Sequence, residues 1–384
     1  MVLSASIPPE IVHKILQYLQ GDKDVLKNCS FVSDAFYQHT RKFLFASITL
    51  GQPKAVSSLR RTIARNPQIA GYIRSLNIPY PFKSTLREIM AIQPMLVNIH
   101  HLILGVNGHY TMIPDFSGFV PGITALLKLP RLEKLEIFSI EAFPASLFQV
   151  PRRLKWLTLD RFRIDPNNIP VLTPLPLLLT VHLMRIFPME SDNIVSFIHV
   201  PNLRHIILDS PGSTAQHFLE TGAETIKDVV WCNYFGNPYP SIDLGVLRNL
   251  QRLSFVTTDD SHITHHYFYE YPPWVPMVDM LCSRSIYYHL EELNLVIKTN
   301  QALTSASISS LLGPTNIWDD FASTARYPRL RSFTIHLDIS RSSSPINEAD
   351  ARRVIARGVP LLEETGHLRV VICKDFDWKD LLPK

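Results

Sequence analysis

The chain has 384 residues, 46% of them apolar, with 38 basic against 34 acidic residues and a formal net charge of +4. That much apolar material excludes whole-chain disorder, and the length suits two or three domains, or one small domain plus an elongated one. The near-balanced charge argues against a nucleic-acid partner, because nucleic-acid binders concentrate a strong basic excess.

Glycine is scarce, at 14 residues, and proline abundant, at 29. Scarce glycine argues against an enzyme built on Gly-rich phosphate loops, and abundant proline predicts repeated chain breaks. Cys29, Cys232, Cys282 and Cys373 are far apart and form no C-x-x-C. Neither a zinc knuckle nor a disulfide framework is expected, and a reducing compartment, cytoplasm or nucleus, fits best. Residues 1–10 lack the basic and apolar regions of a signal peptide. The most apolar run, Val171 to Met184, contains Pro174, Pro176 and His182 and falls short of the roughly 20 residues that cross a bilayer. The sequence therefore predicts a soluble protein with no membrane partner.

In chain order, Pro8 and Pro9 open a first helix, since their missing N–H groups would be unpaired there, and Glu10 complements the helix dipole in the first turn. Ile11, Val12, Ile15, Leu16 and Leu19 then recur at helical spacing and form an apolar stripe. Gly21 and Asp22 end that helix, a second starts at Asp24 with Val25, Leu26 and Cys29, and a third carries Val32, Ala35, Phe36 and Phe43 on one face. Three helices this short bury little surface alone. They either cap the domain behind them or dock part of the stripe on a partner helix.

The run Ile7-Pro8-Pro9-Glu10-Ile11-Val12-x-x-Ile15-Leu16-x-x-Leu19, followed by Leu26-x-x-Cys29-x-x-Val32-Ser33-x-x-Phe36, resembles an F-box. The family opens on an apolar residue, Pro, any residue, Glu and an apolar residue. A short-helix Leu pair and a later Val-Ser-x-x-aromatic follow. Ile7 stands where Leu is commoner, and Phe36 where Trp is commoner. The resemblance covers residues 3–47 and implies binding to the Skp-family adaptor of a cullin–RING ubiquitin ligase. By that resemblance Ile7, Pro8, Ile11, Ile15, Leu16, Leu26, Val32 and Phe36 are candidates for the adaptor interface or for the small core beneath it. Residues 1–50 form the predicted adaptor-binding domain, and 51–384 the second.

From residue 51 onward a template, apolar-x-x-apolar-x-apolar, recurs, often after Pro. Its clearest copies are Pro130 to Ile137, Pro201 to Leu208 and Pro328 to Ile335. Its centres are Leu76, Leu102, Leu135, Leu157, Val181, Ile206, Val229, Leu253, Leu293 and Phe333, spaced 26, 33, 22, 24, 25, 23, 24, 40 and 40 residues apart. Chance matches to the template are common, so the spacing is the stronger signal. Most gaps approach the period of a leucine-rich repeat, and the long ones read as insertions. Helix-like stretches lie between: a Thr85/Glu88 capping box before Ile89 and Met90, a Ser191-capped segment through Ile198, and an Asn347/Asp350 opening to Ala351–Arg357. Strand then helix, repeated, predicts an α/β solenoid with a parallel sheet. It resembles the degenerate leucine-rich-repeat-like region that follows many fungal F-boxes. The Asn expected three residues after the template is missing, with Ile140, Phe162 and Pro211 in its place.

Strand side chains alternate, so residues beside the template positions point to the opposite, concave face. That face is expected to carry Lys134, Glu136 and Phe138, then Trp156, Thr158 and Asp160. His182 and Met184, His205 and Asp209, Arg252 and Ser254, Glu292 and Asn294, and Thr334 and His336 continue it. Mixed charge, His and aromatics suit a protein-binding face better than a phosphate track. Each position alone is as well explained as an ordinary solvated strand residue. Trp156 stands out, because a large aromatic on an open strand face needs a contact. Lys134, Glu136, Trp156, Asp160, His182, His205, Asp209, Arg252, Glu292 and His336 are the candidate client-binding residues.

The sequence holds no Walker A loop, Rossmann glycine triplet, nucleophile elbow or H-E-x-x-H. His262, His265 and His266 with Asp259 or Asp260 have loose metal-ligand spacing inside a Tyr- and Pro-rich insertion, which more often marks a surface loop. The expectation is a non-enzymatic ubiquitin-ligase receptor without cofactor or metal, binding an unidentified client protein. The alternatives are a scaffold whose N-terminal helices only cap the solenoid, and a metal enzyme or hydrolase built on His262–His266.

Overall fold

The computed structural model describes residues 7–80, 83–106, 119–163, 173–184, 198–209, 213–233, 243–259, 287–299, 308, 318, 320–338, 347–373, 376 and 381–382. They form an α/β protein of two compact units, residues 1–171 and 172–384. No described helix is long and apolar enough to cross a membrane. His262, His265 and His266 lie outside the described residues, as does the Ser191 segment up to residue 197.

The first unit begins with α1 (Pro9–Tyr18), α2 (Lys23–Cys29) and α3 (Asp34–Leu44). Pro9 sits at the first helical position, and the Pro8 carbonyl accepts from the Ile11 and Val12 amides at 3.0 and 3.1 Å. Asp22 does not close α1. It caps α2, its carboxylate accepting from the Asp24 and Val25 amides at 3.0 Å. Ser33 caps α3 in the same manner, so Val32 precedes that helix instead of riding on its face. Val12, Leu16, Leu26 and Phe36 close a small core, with Leu19, Cys29, Phe43 and Leu44 packed around it. The third helix packs against α5 (Gln68–Tyr72), beyond β1 (Ser47–Thr49) and α4 (Pro53–Arg65).

Strands β2 (Ser75–Ile78), β3 (His101–Gly105), β4 (Lys134–Phe138) and β5 (Trp156–Asp160) join β1 in parallel, each beside its predecessor. Among the described residues, α6 (Lys83–Ile92) lies between β2 and β3 and α7 (Val120–Leu127) between β3 and β4. The first of them starts at Lys83, so Thr85 and Glu88 lie inside it instead of forming a capping box. A methyl on Gly122 of α7 would stand 2.8 Å from Leu86 Cβ of α6, so glycine sets how closely the two helices approach. Gly105 ends β3 at φ +88°, where a side chain would meet the Phe138 carbonyl oxygen at 1.8 Å.

The second unit has a two-strand pair, β6 (Thr173–Pro174) with β8 (Ile198–His199). Its main parallel set is β7 (Thr180–Met184), β9 (His205–Asp209), β10 (Asp228–Asn233), β11 (Arg252–Asp259), β12 (Glu292–Thr299), β13 (Ser332–Asp338) and β14 (Leu368–Cys373). Helix α8 (Ser213–Thr221) precedes β10. Helices α9 (Glu348–Gly358) and α10 (Pro360–Glu364) precede β14, with the Asn347 side chain capping α9 as expected.

Every template centre falls at one register position. Leu76, Leu102, Leu135 and Leu157 stand side by side in the first unit. Val181, Ile206, Val229, Leu253, Leu293 and Phe333 do so in the second. All are buried. The 40-residue spacings leave the register unshifted. Strands β1 and β14 extend the pattern through Ile48 and Leu368, which the template did not single out.

A backbone ladder runs at the strand entrances, the opposite end from the place of the missing Asn. Just before most of the described strands, one carbonyl accepts two successive N–H groups of the next repeat. Arg74 takes those of His100 and His101, His100 those of Glu133 and Lys134, and Glu133 those of Lys155 and Trp156. Leu179, Arg204, Lys227, Gln251 and Glu291 repeat this in the second unit. Asparagines do contribute, but ahead of the template. Asn98, Asn202 and Asn249 stand four residues before their strand centres and donate to the carbonyls of Gly71, Pro176 and Glu224 at 2.9, 2.8 and 2.8 Å.

Candidate functional site

Two kinds of surface emerge: one on the N-terminal helices, one along the strands. On α1 the apolar residues divide into two stripes one position apart, both at i, i+4, i+7. Val12, Leu16 and Leu19 face the small core. Ile11, Ile15 and Tyr18 face outward, with relative exposures of 46%, 38% and 91%. In the turn between α2 and α3, Phe31 and Val32 are 86% and 66% exposed, and Ile7 and Pro8 are exposed as well. The eight candidate adaptor-binding residues therefore separate. Leu16, Leu26 and Phe36 are core, whereas Ile7, Pro8, Ile11, Ile15 and Val32 are surface. Tyr18 and Phe31 join that surface: Tyr18 continues the outer stripe, which in the sequence merges with the inner one, and Phe31 lies in a turn outside any helical spacing.

Along the strands, residues at the first, third and fifth register positions share the face opposite the template residues. In the first unit this face carries a half-buried polar cluster. Glu136 Oε1 lies 2.7 Å from Lys134 Nζ and 3.4 Å from His101 Nε2, and His101 Nδ1 lies 3.4 Å from Ser75 Oγ. Lys134 Nζ also sits 4.8 Å from the centre of the Trp156 ring, whose indole N–H donates to Thr158 Oγ1 at 3.0 Å. Burial pushes the Glu136 carboxyl up, but its contacts with His101 and Lys134 and their charge together outweigh that and bring it down to about 2. Trp156 is half-buried, its contacts supplied from within the chain. Asp160 is buried at the far end of β5, beside Arg161, which takes a left-handed backbone conformation at φ 45°.

In the second unit the same face is drier. His182 and Asp209 are buried, as are Ile207, Val230, Val256 and Val296 at equivalent positions. At the first register position His205, Asp228 and Arg252 stand on adjacent strands. Asp228 is 2% exposed and takes His205 Nδ1 at 2.5 Å and the Arg252 Nε through its other oxygen. Burial opposes its ionisation, and its close contacts with His205 and Arg252 and their charge still hold its carboxyl below the usual range. Glu292 is exposed beside Arg252, and Asn294 donates to Ser254 Oγ at 3.1 Å. His336 is half-buried, and burial lowers its pKa.

Asp160, His182 and Asp209, expected on an open face, thus present almost no surface. Lys134, Glu136, Trp156, His205, Arg252, Glu292 and His336 remain at least partly accessible. Strand alternation predicts the side of the sheet on which a residue lies but not what covers that side. His101 and Asp228, which complete the two clusters, were legible only as first-position neighbours of residues that were named. Compared with known proteins, the chain matches no family model and no curated protein.

Proposed function

We propose that the chain is the substrate-recognition subunit of a Skp–cullin–F-box ubiquitin ligase. Helices α1–α3 dock on a Skp-family adaptor, and the strand region holds a client protein. The chain carries no catalytic residues of its own in this reading. It raises the local concentration of client lysines before a recruited conjugating enzyme, an acceleration by proximity. The observation that carries the reading is the outer stripe Ile11, Ile15 and Tyr18, on a helix whose inner stripe already closes its own core. Apolar surface left over in this way marks an interaction site.

A capping role is favoured by the packing of α3 on α5. That contact uses the third helix, whereas the unused apolar residues lie on α1 and in the turn before α3, so capping leaves them unexplained. The test is co-expression with a Skp-family adaptor followed by size-exclusion chromatography. Wild type should elute as a one-to-one complex. Ile11→Asp/Ile15→Asp should elute alone and folded, because both side chains are already exposed. Leu16→Asp is the folding control, since it places a charge in the small core. A wild-type chain that runs as a soluble monomer beside the adaptor overturns the receptor reading and favours the scaffold.

A further inference from the structure

The last strands of the second unit already hold one residue from farther along the chain, Phe376. Lys298 of β12 and Asp338 of β13 are register partners, their charged groups 3.9 Å apart, and His336 lies two residues earlier on the same face. Phe376 sits on them. Asp338 Oδ2 accepts its amide N–H at 3.2 Å, and Lys298 Nζ donates to its carbonyl at 2.8 Å. Its ring lies 5.2 Å from the His336 ring and 5.7 Å from the Lys298 ammonium. One residue is thus read three ways: main-chain donor, main-chain acceptor and aromatic side chain. That is the grammar of peptide recognition, in which main-chain hydrogen bonds give affinity and a side-chain cradle gives specificity. A Lys/Asp pair suits the main-chain N–H and C=O of a single residue, because one side chain only donates and the other, ionised, only accepts.

We infer that this end of the second unit is a docking site for an extended peptide segment bearing an aromatic residue, and that Phe376 fills it until such a segment displaces it. As a client site this rests on the receptor function proposed above; as a peptide site it stands by itself. A tethered occupant acts at an effective concentration on the order of millimolar, so a free peptide of the same sequence is outcompeted by at least roughly ten-fold.

The experiment uses the full chain carrying Phe376→Ala and a labelled peptide of this chain's residues 374–380, read by fluorescence anisotropy. The variant should bind the peptide at least about ten-fold more tightly than wild type does. A peptide with its Phe replaced by Ala should not bind, and adding Lys298→Ala to the variant should remove binding. Where Phe376→Ala does not fold, hydrogen exchange of the Phe376 amide in wild type takes its place: excess peptide should speed it. A folded variant that binds no better than wild type overturns the inference, as does an amide whose exchange ignores the peptide. Adaptor binding is unaffected by either outcome, so failure here leaves the ligase proposal where the chromatography put it.

Discussion

The two cross-strand clusters occupy comparable places in the two units, and water treats them differently. In the first, Glu136 at 16% side-chain exposure meets a lysine and a histidine that are themselves partly open. In the second, Asp228 at 3% meets His205 and Arg252 with most of its surface gone. Both carboxyls are pulled below their ordinary range against a burial penalty. The drier one has no solvent to fall back on when a partner is lost. A buried charge network is fragile when broken, even where its net contribution is small. The wetter one keeps side-chain surface that another molecule can reach. The first cluster is therefore the better client-facing candidate, and the second a fastening between strands.

The largest effect should come from the dry cluster. Asp228→Ala leaves His205 and Arg252 facing each other across three adjacent strands without their shared acceptor. The expected loss is about 3 kcal/mol, the scale for removing one partner of a buried ion pair, seen as a lower urea midpoint. Glu136→Ala should lose clearly less. Equal losses would break the distinction drawn between the two clusters.

Glu136 makes a sharper test through pH. Its folded pKa of about 2 lies below its ordinary value of 4.5. The native state therefore holds this carboxylate more readily than the unfolded chain does. The resulting stabilisation is fully present above pH 4.5 and fades as the pH falls toward 2. At 1.36 kcal/mol per pKa unit it amounts to at most about 3 kcal/mol, and partial exposure reduces it. The stability gap between wild type and Glu136→Gln should shrink steadily when unfolding is measured from pH 5 down to pH 2.5. A gap that stays constant means the carboxylate is not what holds the cluster.

Much of the strand architecture was legible in the sequence, and the reason is physical. A parallel repeat must place one fully buried residue per strand at the same height, and Leu135, Ile206 or Phe333 can serve only there. Spacing alone therefore found the register, including across the long insertions. The helix boundaries were less legible. Asp22 and Ser33 are caps by their hydrogen bonds, but next to Gly21 or Val32 they read equally well as a helix end or an interior residue. Burial on the opposite face was not legible at all. Nothing local distinguishes His182, buried, from His336, half-open, because the difference lies in what covers the strand. Phe376 belongs to the same class, since its cradle is made by residues 38 and 78 positions away.

The smallest effect concerns Lys134, which Glu136 and Trp156 share. A cation over an indole at a partly exposed site contributes about 0.5–1 kcal/mol. A double-mutant cycle of Lys134→Met with Trp156→Leu should return a coupling of that size. If Glu136 alone positions the lysine, the coupling falls to zero while the single Lys134→Met loss persists. If the ring positions it, repeating the cycle in the Glu136→Gln background leaves the coupling intact. The second result makes Trp156 a platform that presents a lysine outward, as a client-facing surface requires. The first makes the indole a lid over an ion pair, and the case for this face as the client site would then rest on His101 and Lys134 alone.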